Sequence, residues 1–191
     1  MPKLSESTPY TLGHFVDDFR AIAVNNSDTH DVFKRLAPLA ESLAASADLK
    51  AHVRKDCDPV QGFGFQVLHE EPDHTLAVAV LSWLPGRGTP PHDHGTWGLV
   101  VGVEGDEVNE FWKRVDDGSQ PGYADLQKLS EKVFAPGQTL LLTPSIIHSV
   151  RNDSDQISVS LHIYGKHVNF TNRSRFDPEQ KTVTPWLVVQ S

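Results

Sequence analysis

In the first quarter of the chain, apolar residues recur at intervals of three and four. Leu12, Phe15, Phe19 and Ile22 share one face of a helical wheel while Asp17, Asp18 and Arg20 turn elsewhere, which predicts a helix over 11–24. Val32, Phe33, Leu36, Leu39, Ala40 and Leu43 predict a second helix over 29–47, with Asp28 or Thr29 as its N-cap and Pro38 bending or splitting it. Beyond residue 60 the period changes. Apolar residues alternate or run in short blocks bounded by Gly, Pro, Asn and Asp over 62–69, 75–85, 96–105, 107–115, 124–137, 138–144, 156–165 and 182–189. Strand-like segments at that spacing predict an antiparallel sandwich or barrel. The turn formers DDGSQPGY at 116–123 predict an exposed hairpin loop. No linker, repeat or low-complexity tract interrupts the pattern. The expectation is one domain over 1–191, mainly β, with a helical part over about 1–58 packed on an edge or face of a β part over about 60–191.

Composition agrees with a folded chain: 38% of the 191 residues are hydrophobic and 22% charged. Seventeen Lys plus Arg against twenty-five Asp plus Glu leave a net charge of −8, and no Lys/Arg run offers counterion release on a polyanion. Nucleic acid and anionic membrane are therefore not expected as partners. Cys57 is the only cysteine, so no intramolecular disulfide can form. The start MPKLSESTPY lacks the pattern of a secretory leader, and the apolar segment TLAVAVLSWL is about half the roughly 20 residues a spanning helix needs. A cytoplasmic location is expected; oligomeric state has no signature here.

The ten histidines matter by position. In the run Pro90-Pro91-His92-Asp93-His94-Gly95-Thr96-Trp97, residues two apart on a strand point to the same side, so His92 and His94 can present two imidazoles to one point. A third imidazole from a neighbouring strand would complete a facial set suited to Fe, Ni, Cu or Zn with positions left open. The competing reading makes HDH a surface loop and His148, in Pro144-Ser145-Ile146-Ile147-His148, a separately satisfied core residue. Further on, Ser160, His162 and Tyr164 alternate with Val159, Leu161 and Ile163, giving one strand a polar face and an apolar face. Turned into a barrel, the polar row forms a relay that directs a phenol O–H at the ligands of a metal; turned to solvent, it is an ordinary surface.

The frame around these residues resembles the cupin superfamily. Its first motif is matched by Gly86, His92, His94, Gly98 and Gly105, with Gly98 where a carboxylate ligand usually stands. The second is matched by Gly137, Pro144, His148 and Asn152, although Pro144 lies one residue nearer His148 than usual and Ile146 replaces an internal Gly. The resemblance implies a small β-barrel of the jelly-roll kind with two or three N-terminal helices packed on it. HDH, His148 and S-x-H-x-Y together are similar to the thiol dioxygenases, the cupin family of cysteine dioxygenase and bacterial 3-mercaptopropionate dioxygenase, over roughly residues 10–176. Carried over, His92, His94 and His148 hold one non-haem Fe(II), Ser160, His162 and Tyr164 form the relay, and O2 is the cosubstrate that turns a thiol into a sulfinate.

Two departures bear on the thiol. Eukaryotic-type cysteine dioxygenases carry a Cys crosslinked to the relay Tyr where this chain has Gly98, and an Arg on an early strand where 62–69 offers only Gln66. In the mercaptopropionate type an Arg shortly after the relay Tyr binds the substrate carboxylate. Arg173 stands nine residues beyond Tyr164, with Arg175 close behind; a guanidinium fork suits a carboxylate. Gln66 is a candidate for a supporting hydrogen bond, and Trp97 and Phe65 either line the pocket or pack in the core. His52, His69, His74 and His167 match no motif. The leading expectation is a dioxygenase for 3-mercaptopropionate. Cysteine remains open as a substrate, as does mercaptosuccinate, whose extra carboxylate Arg175 or Arg87 could meet. A noncatalytic cupin that senses a small ligand, or another metallocupin, is the rival.

Overall fold

The computed structural model describes residues 10–25 and 29–190. The helices are α1 (Leu12–Asn25), α2 (Thr29–Ala45) and α3 (Ala47–His52). Asp28, one of the two candidate caps of α2, lies outside the described residues, and Thr29 is the first helical residue. Of the two outcomes expected at Pro38, a bend or a split, the split does not occur: α2 runs unbroken through it. Pro38 removes one backbone donor, but Val32, Phe33, Leu36, Ala40 and Leu43 on the same helix are buried, and that apolar face holds the helix together. Ser46 separates α3 from α2 by accepting a hydrogen bond from the Leu49 N–H at 3.0 Å, an N-cap.

Ten strands follow: β1 (Phe63–His69), β2 (Thr75–Trp83), β3 (Gly98–Glu104), β4 (Glu107–Arg114), β5 (Leu126–Phe134), β6 (Thr139–Leu142), β7 (Ile147–Arg151), β8 (Ser158–Lys166), β9 (Ser174–Asp177) and β10 (Thr182–Pro185). They form a five-stranded sheet in the order β1-β2-β8-β3-β6, a three-stranded sheet β5-β4-β7 and a β9-β10 pair, with every pairing antiparallel. The segment before β3 stands beside β7 in the place of a fourth strand, joined by isolated bridges at Gly88 to Arg151 and His92 to His148, and His92 also bridges to Arg175 of β9. From β3 onward the chain passes repeatedly between the two sheets, with only the β4-β5 hairpin staying in one, which is the jelly-roll arrangement, mainly β with three N-terminal helices. The hairpin loop expected at 116–123 connects β4 to β5, organised by Arg114, which donates to both oxygens of Asp116 and to the Tyr123 carbonyl.

Residues from α1, α2 and α3 share one apolar cluster with Val78, Val80, Leu99, Val101, Val159, Leu161 and Ile163. The helices thus cover the outer face of β2-β8-β3. The opposite, inner face carries Phe63, Phe65, Leu81 and Trp83 from β1 and β2 together with Tyr164, and it closes around a narrow cavity. Two strands escaped the sequence pattern. β7 and β9 are short and mix Ile, His, Ser, Arg and Phe, so neither shows a clean alternation. Among the described residues no helix is long and apolar enough to cross a membrane.

Candidate metal centre

Pairing register, rather than proximity in sequence, brings the three histidines together. His92 and His94 come from the segment before β3, and the His92 and His148 backbones exchange both hydrogen bonds at 2.8 and 3.0 Å. One ligating atom from each of His92, His94 and His148 lies within 4.8 Å of the others. All three rings are buried. The His92 Nδ1–H donates to the Pro90 carbonyl at 3.0 Å, and the His148 Nδ1–H donates to Asn109 Oδ1 at 2.9 Å. Each bond fixes a tautomer with a bare Nε2 lone pair. His148 Nε2 and His94 Nδ1 are buried with no hydrogen-bond partner.

Electrostatics hold the set in its ligating form. Burial pushes His92 and His94 well below the ordinary histidine value, reinforced by the mutual repulsion of the rings. Burial, with the Arg173 charge, brings His148 down to about 3. Three neutral imidazoles, two of them with an orphaned nitrogen, in a buried site match the donor chemistry of a borderline divalent transition metal and leave coordination positions free. Among the described residues no carboxylate lines the cavity. At Gly98 a Cβ would come within 3.1 Å of the Tyr164 ring, so a side chain there would press on the phenol and require it to give by a few tenths of an ångström.

The polar row of β8 faces the same cavity. The His162 ring is hydrogen-bonded at both nitrogens, with Nε2 2.9 Å from Ser160 Oγ and Nδ1 2.8 Å from Tyr164 Oη. All three residues are buried, and the Tyr164 ring stacks on His94 with centroids 5.6 Å apart. Burial lowers His162 to about 3 and raises Tyr164, so the relay is made of neutral groups.

Arg173 enters from the segment before β9. It is 4% exposed and lines the cavity. Asp93, the middle residue of HDH, clasps this segment: its carboxylate accepts the Ser174 N–H at 2.8 Å and its carbonyl accepts from Arg173 Nε at 3.2 Å. Trp186 stacks on the guanidinium at 4.2 Å and meets the edge of His92. Desolvation lowers Arg173 to about 10, which still leaves it a cation at neutral pH. Among the described residues Arg173 has no carboxylate partner in its hydrogen bonds or ion pairs, which leaves its remaining donors for a ligand.

Other candidates lie elsewhere. Gln66 is spent on backbone, accepting from the Arg54 N–H and donating to the His52 carbonyl, both at 2.8 Å. It sits on the face of β1 opposite Phe63 and Phe65, so its candidacy as a carboxylate ligand is corrected to that of a brace between β1 and the end of α3. Arg175, the second choice for the carboxylate, lies on β9, donates to Thr184 and lines the outer groove; it too is removed from the cavity. Arg87 donates to the Val60 carbonyl at the surface. Phe65 lines the cavity, whereas Trp97 packs against Phe19 and Phe33 beneath the helices. An open groove of about 740 Å³ outside the barrel, along Pro90, Trp112 and Arg175, includes none of the three histidines.

Sequence reasoning missed Asn109, Glu107, Trp83 and Trp186. Asn109 and Glu107 lie on β4, where Val108 and Glu110 between them blur any alternation. Trp186 falls in the strand-like segment 182–189 but follows the last strand, which ends at Pro185, and lines the cavity from there. Asn169 and Gln61 hold this segment by reciprocal amide bonds to the backbones of Val188 and Val189, all between 2.8 and 3.2 Å. The cavity is narrow, with about 20 Å³ of open space, little more than one water needs.

No protein-family model matches the chain. Among solved structures the chain is similar to oxalate oxidase in complex with the substrate analogue glycolate, at 15% identity and a TM-score of 0.47, over 61% of this chain and 57% of that one. It is also similar to TT1209 from Thermus thermophilus, at 19% identity and 0.47 over 62% and 94%. A third likeness is to an uncharacterised Klebsiella pneumoniae protein with a double-stranded β-helix domain, at 12% identity and 0.47 over 66% and 86%. The chain thus spans little more than half the length of the oxalate oxidase it matches.

Proposed function

We propose that the protein is an Fe(II)-dependent thiol dioxygenase that converts a small mercapto-carboxylate, 3-mercaptopropionate in first place, and O2 into the sulfinate. The observation that carries this reading is the lining of one cavity: three neutral imidazoles without a carboxylate, the Ser160–His162–Tyr164 row, and a single buried guanidinium. A neutral donor set suits an added anionic thiolate, because the ligands themselves contribute no negative charge. Iron bound by His92, His94 and His148 would supply the Lewis acidity and redox chemistry that join the thiol sulfur to O2.

The protein's own groups supply position and protons. Arg173 offers a carboxylate a charge-assisted bond in a desolvated site, and Trp186 keeps the guanidinium from swinging away. The Tyr164 hydroxyl, backed by His162 and Ser160, can donate into the space beside the histidines. Phe63, Phe65, Leu81, Trp83 and Val150 exclude water. Among the described residues no acidic side chain lines the cavity to receive an ammonium group and a single arginine lines it, which favours a thiol with one carboxylate and no amine over cysteine or mercaptosuccinate.

The test is O2 uptake by the iron-loaded protein with the three thiols in parallel. The expected result is a kcat/KM at least about tenfold higher for 3-mercaptopropionate than for cysteine, the scale of one unpaired buried ammonium. Uptake with no thiol despite stoichiometric iron would turn the reading toward a sensor or another metal-dependent reaction.

A further inference from the structure

The relay does not end at Ser160. Glu107, the first residue of β4, reaches across from the opposite sheet and is 5% exposed. Glu107 and Gly102 line one small void, and Gly102 is the strand partner of Ser160, which sets the carboxyl beside the Ser160 hydroxyl and the Trp83 indole, both of which favour its ionised form; its Oε1 is buried without any partner. Trp83 Nε1 also donates to Ser160 Oγ at 3.3 Å. A buried carboxyl with one empty oxygen and no neighbouring cation is an expensive arrangement unless it exchanges a proton.

We propose that Glu107 is the terminal proton acceptor of the Tyr164–His162–Ser160 chain, and that its protonation state sets the direction in which the chain of hydrogen bonds runs. Counting protons fixes the two arrangements. When Glu107 is ionised it can only accept, so the Ser160 O–H turns to it. His162 must then carry its proton on Nε2 to reach Ser160 Oγ, and the Tyr164 O–H is spent on the bare Nδ1. When Glu107 is protonated it donates to Ser160 Oγ, Ser160 donates to His162 Nε2, and the Nδ1–H donates to Tyr164 Oη. The Tyr164 O–H is then free to point into the cavity. The two states differ by one proton. Delivered to Tyr164 Oη, it displaces the phenol proton onto Nδ1, the Nε2 proton onto Ser160 and the Ser160 proton onto Glu107. The S–H bond of an entering thiol is a source: it breaks as the thiolate forms, Glu107 gains the proton, and nothing is oxidised in this step. That use of the proton rests on the proposed thiol chemistry; the direction of the chain does not.

The surroundings isolate the carboxyl. Ser160 from β8 and Trp83 from β2 touch it, Phe134 of β5 is its strand partner, and His162 and Tyr164 stand further along the row. Glu104 and Asp106 on its own side of the chain are exposed, and Glu104 is paired with Lys55 at 2.7 Å. Desolvation, with only Ser160 and Trp83 opposing it, brings Glu107 up to about 7, where a proton is exchanged readily at neutral pH. The Tyr164 hydroxyl is raised in part by the Glu107 charge, so the two ends of the row are electrostatically linked.

The experiment reads the His162 tautomer by imidazole nitrogen NMR in the metal-free full-length protein between about pH 5 and 9, a range that brackets the carboxyl titration. The wild type is expected to move from Nδ1–H to Nε2–H as pH rises. Glu107→Gln is expected to hold one tautomer throughout, and Glu107→Asp to restore the change with a displaced midpoint. A wild-type tautomer that does not respond to pH, or a Glu107→Gln protein that titrates like the wild type, would overturn the proposal. Should Glu107→Gln fail to fold, Ser160→Ala decides: with the chain cut, His162 must cease to follow pH, and a persistent change contradicts the role of Glu107. Loss of the tautomer change with thiol-dependent O2 uptake intact rejects this inference alone; a preserved change without uptake rejects only the thiol reaction.

Discussion

The two faces of β8 use burial in opposite ways. Val159, Leu161 and Ile163 turn outward under the helices, fully enclosed by apolar neighbours from α1, α2, β2 and β3. Ser160, His162 and Tyr164, one step along the same backbone, turn inward and are buried just as completely. Removing the first set from water stabilises the fold in proportion to area. The second set contributes little net stability, because each hydrogen bond replaces one made to water. It keeps neutral, oriented donors beside three histidines with bare nitrogens. A strand of period two can thus separate folding from chemistry residue by residue, and the separation is open to test.

Removing a ligand gives the largest effect. His148→Ala is expected to abolish stoichiometric metal binding and all thiol-dependent O2 uptake, measured by metal analysis and an oxygen electrode; Asn109→Ala, which frees the His148 ring, should weaken metal binding by about 10- to 100-fold. On the outward face Leu161→Ala should lower stability by about 2–5 kcal/mol in denaturant titration while the folded fraction keeps its metal content and kcat. On the inward face Tyr164→Phe should reverse that pattern: stability within about 1 kcal/mol of wild type, full metal content, and kcat lower by about a hundredfold. Equal stability losses from Leu161→Ala and Tyr164→Phe would erase the distinction.

Acid titration sharpens the same contrast. His148 and His162 fall to about 3 in the folded protein, below their ordinary 6.5. The folded state therefore disfavours their protonation: their contribution is full above about pH 6.5 and is lost as pH falls toward 3. The metal-free protein should lose up to about 1.4 kcal/mol per pH unit for each of these imidazoles across that window, seen as a falling Tm. His162→Leu should remove one such increment. The smallest effect is expected at the cavity mouth, where Trp186→Ala takes away a stacking contact of about 0.5–2 kcal/mol and should raise KM for a thiol carboxylate several-fold with kcat nearly unchanged.

How much of this was legible in the chain depends on which physical signal each residue carries. Period-four apolar spacing marked α1 and α2, and period-two alternation marked β8, because one side of each element is apolar without exception. The spacing of His92 and His94 placed two imidazoles on one side of a strand-like segment, and His148 as the third was implied only by the resemblance of the surrounding motifs to the cupin superfamily. Asn109 and Glu107 were not legible, since β4 carries polar side chains on both faces and its register with β5 and β7 is a property of the folded sheet. Gln66 was misread for the same reason: which face of β1 turns inward is decided by the packing of Phe63 and Phe65 against Trp83. Arg173 and Arg175 are equivalent in sequence. Their two-residue separation should have put them on one side of a strand, but Arg173 precedes β9, and the Asp93 clasp draws it alone into the cavity.

The most direct measurement of the central claim is product mass after a single reaction of the iron-loaded protein with 3-mercaptopropionate under labelled dioxygen. The account predicts a sulfinate in which both oxygen atoms added at sulfur carry the label, formed in a one-to-one ratio with O2 consumed. A disulfide, or a product with a single labelled oxygen from the fully loaded protein, would contradict it.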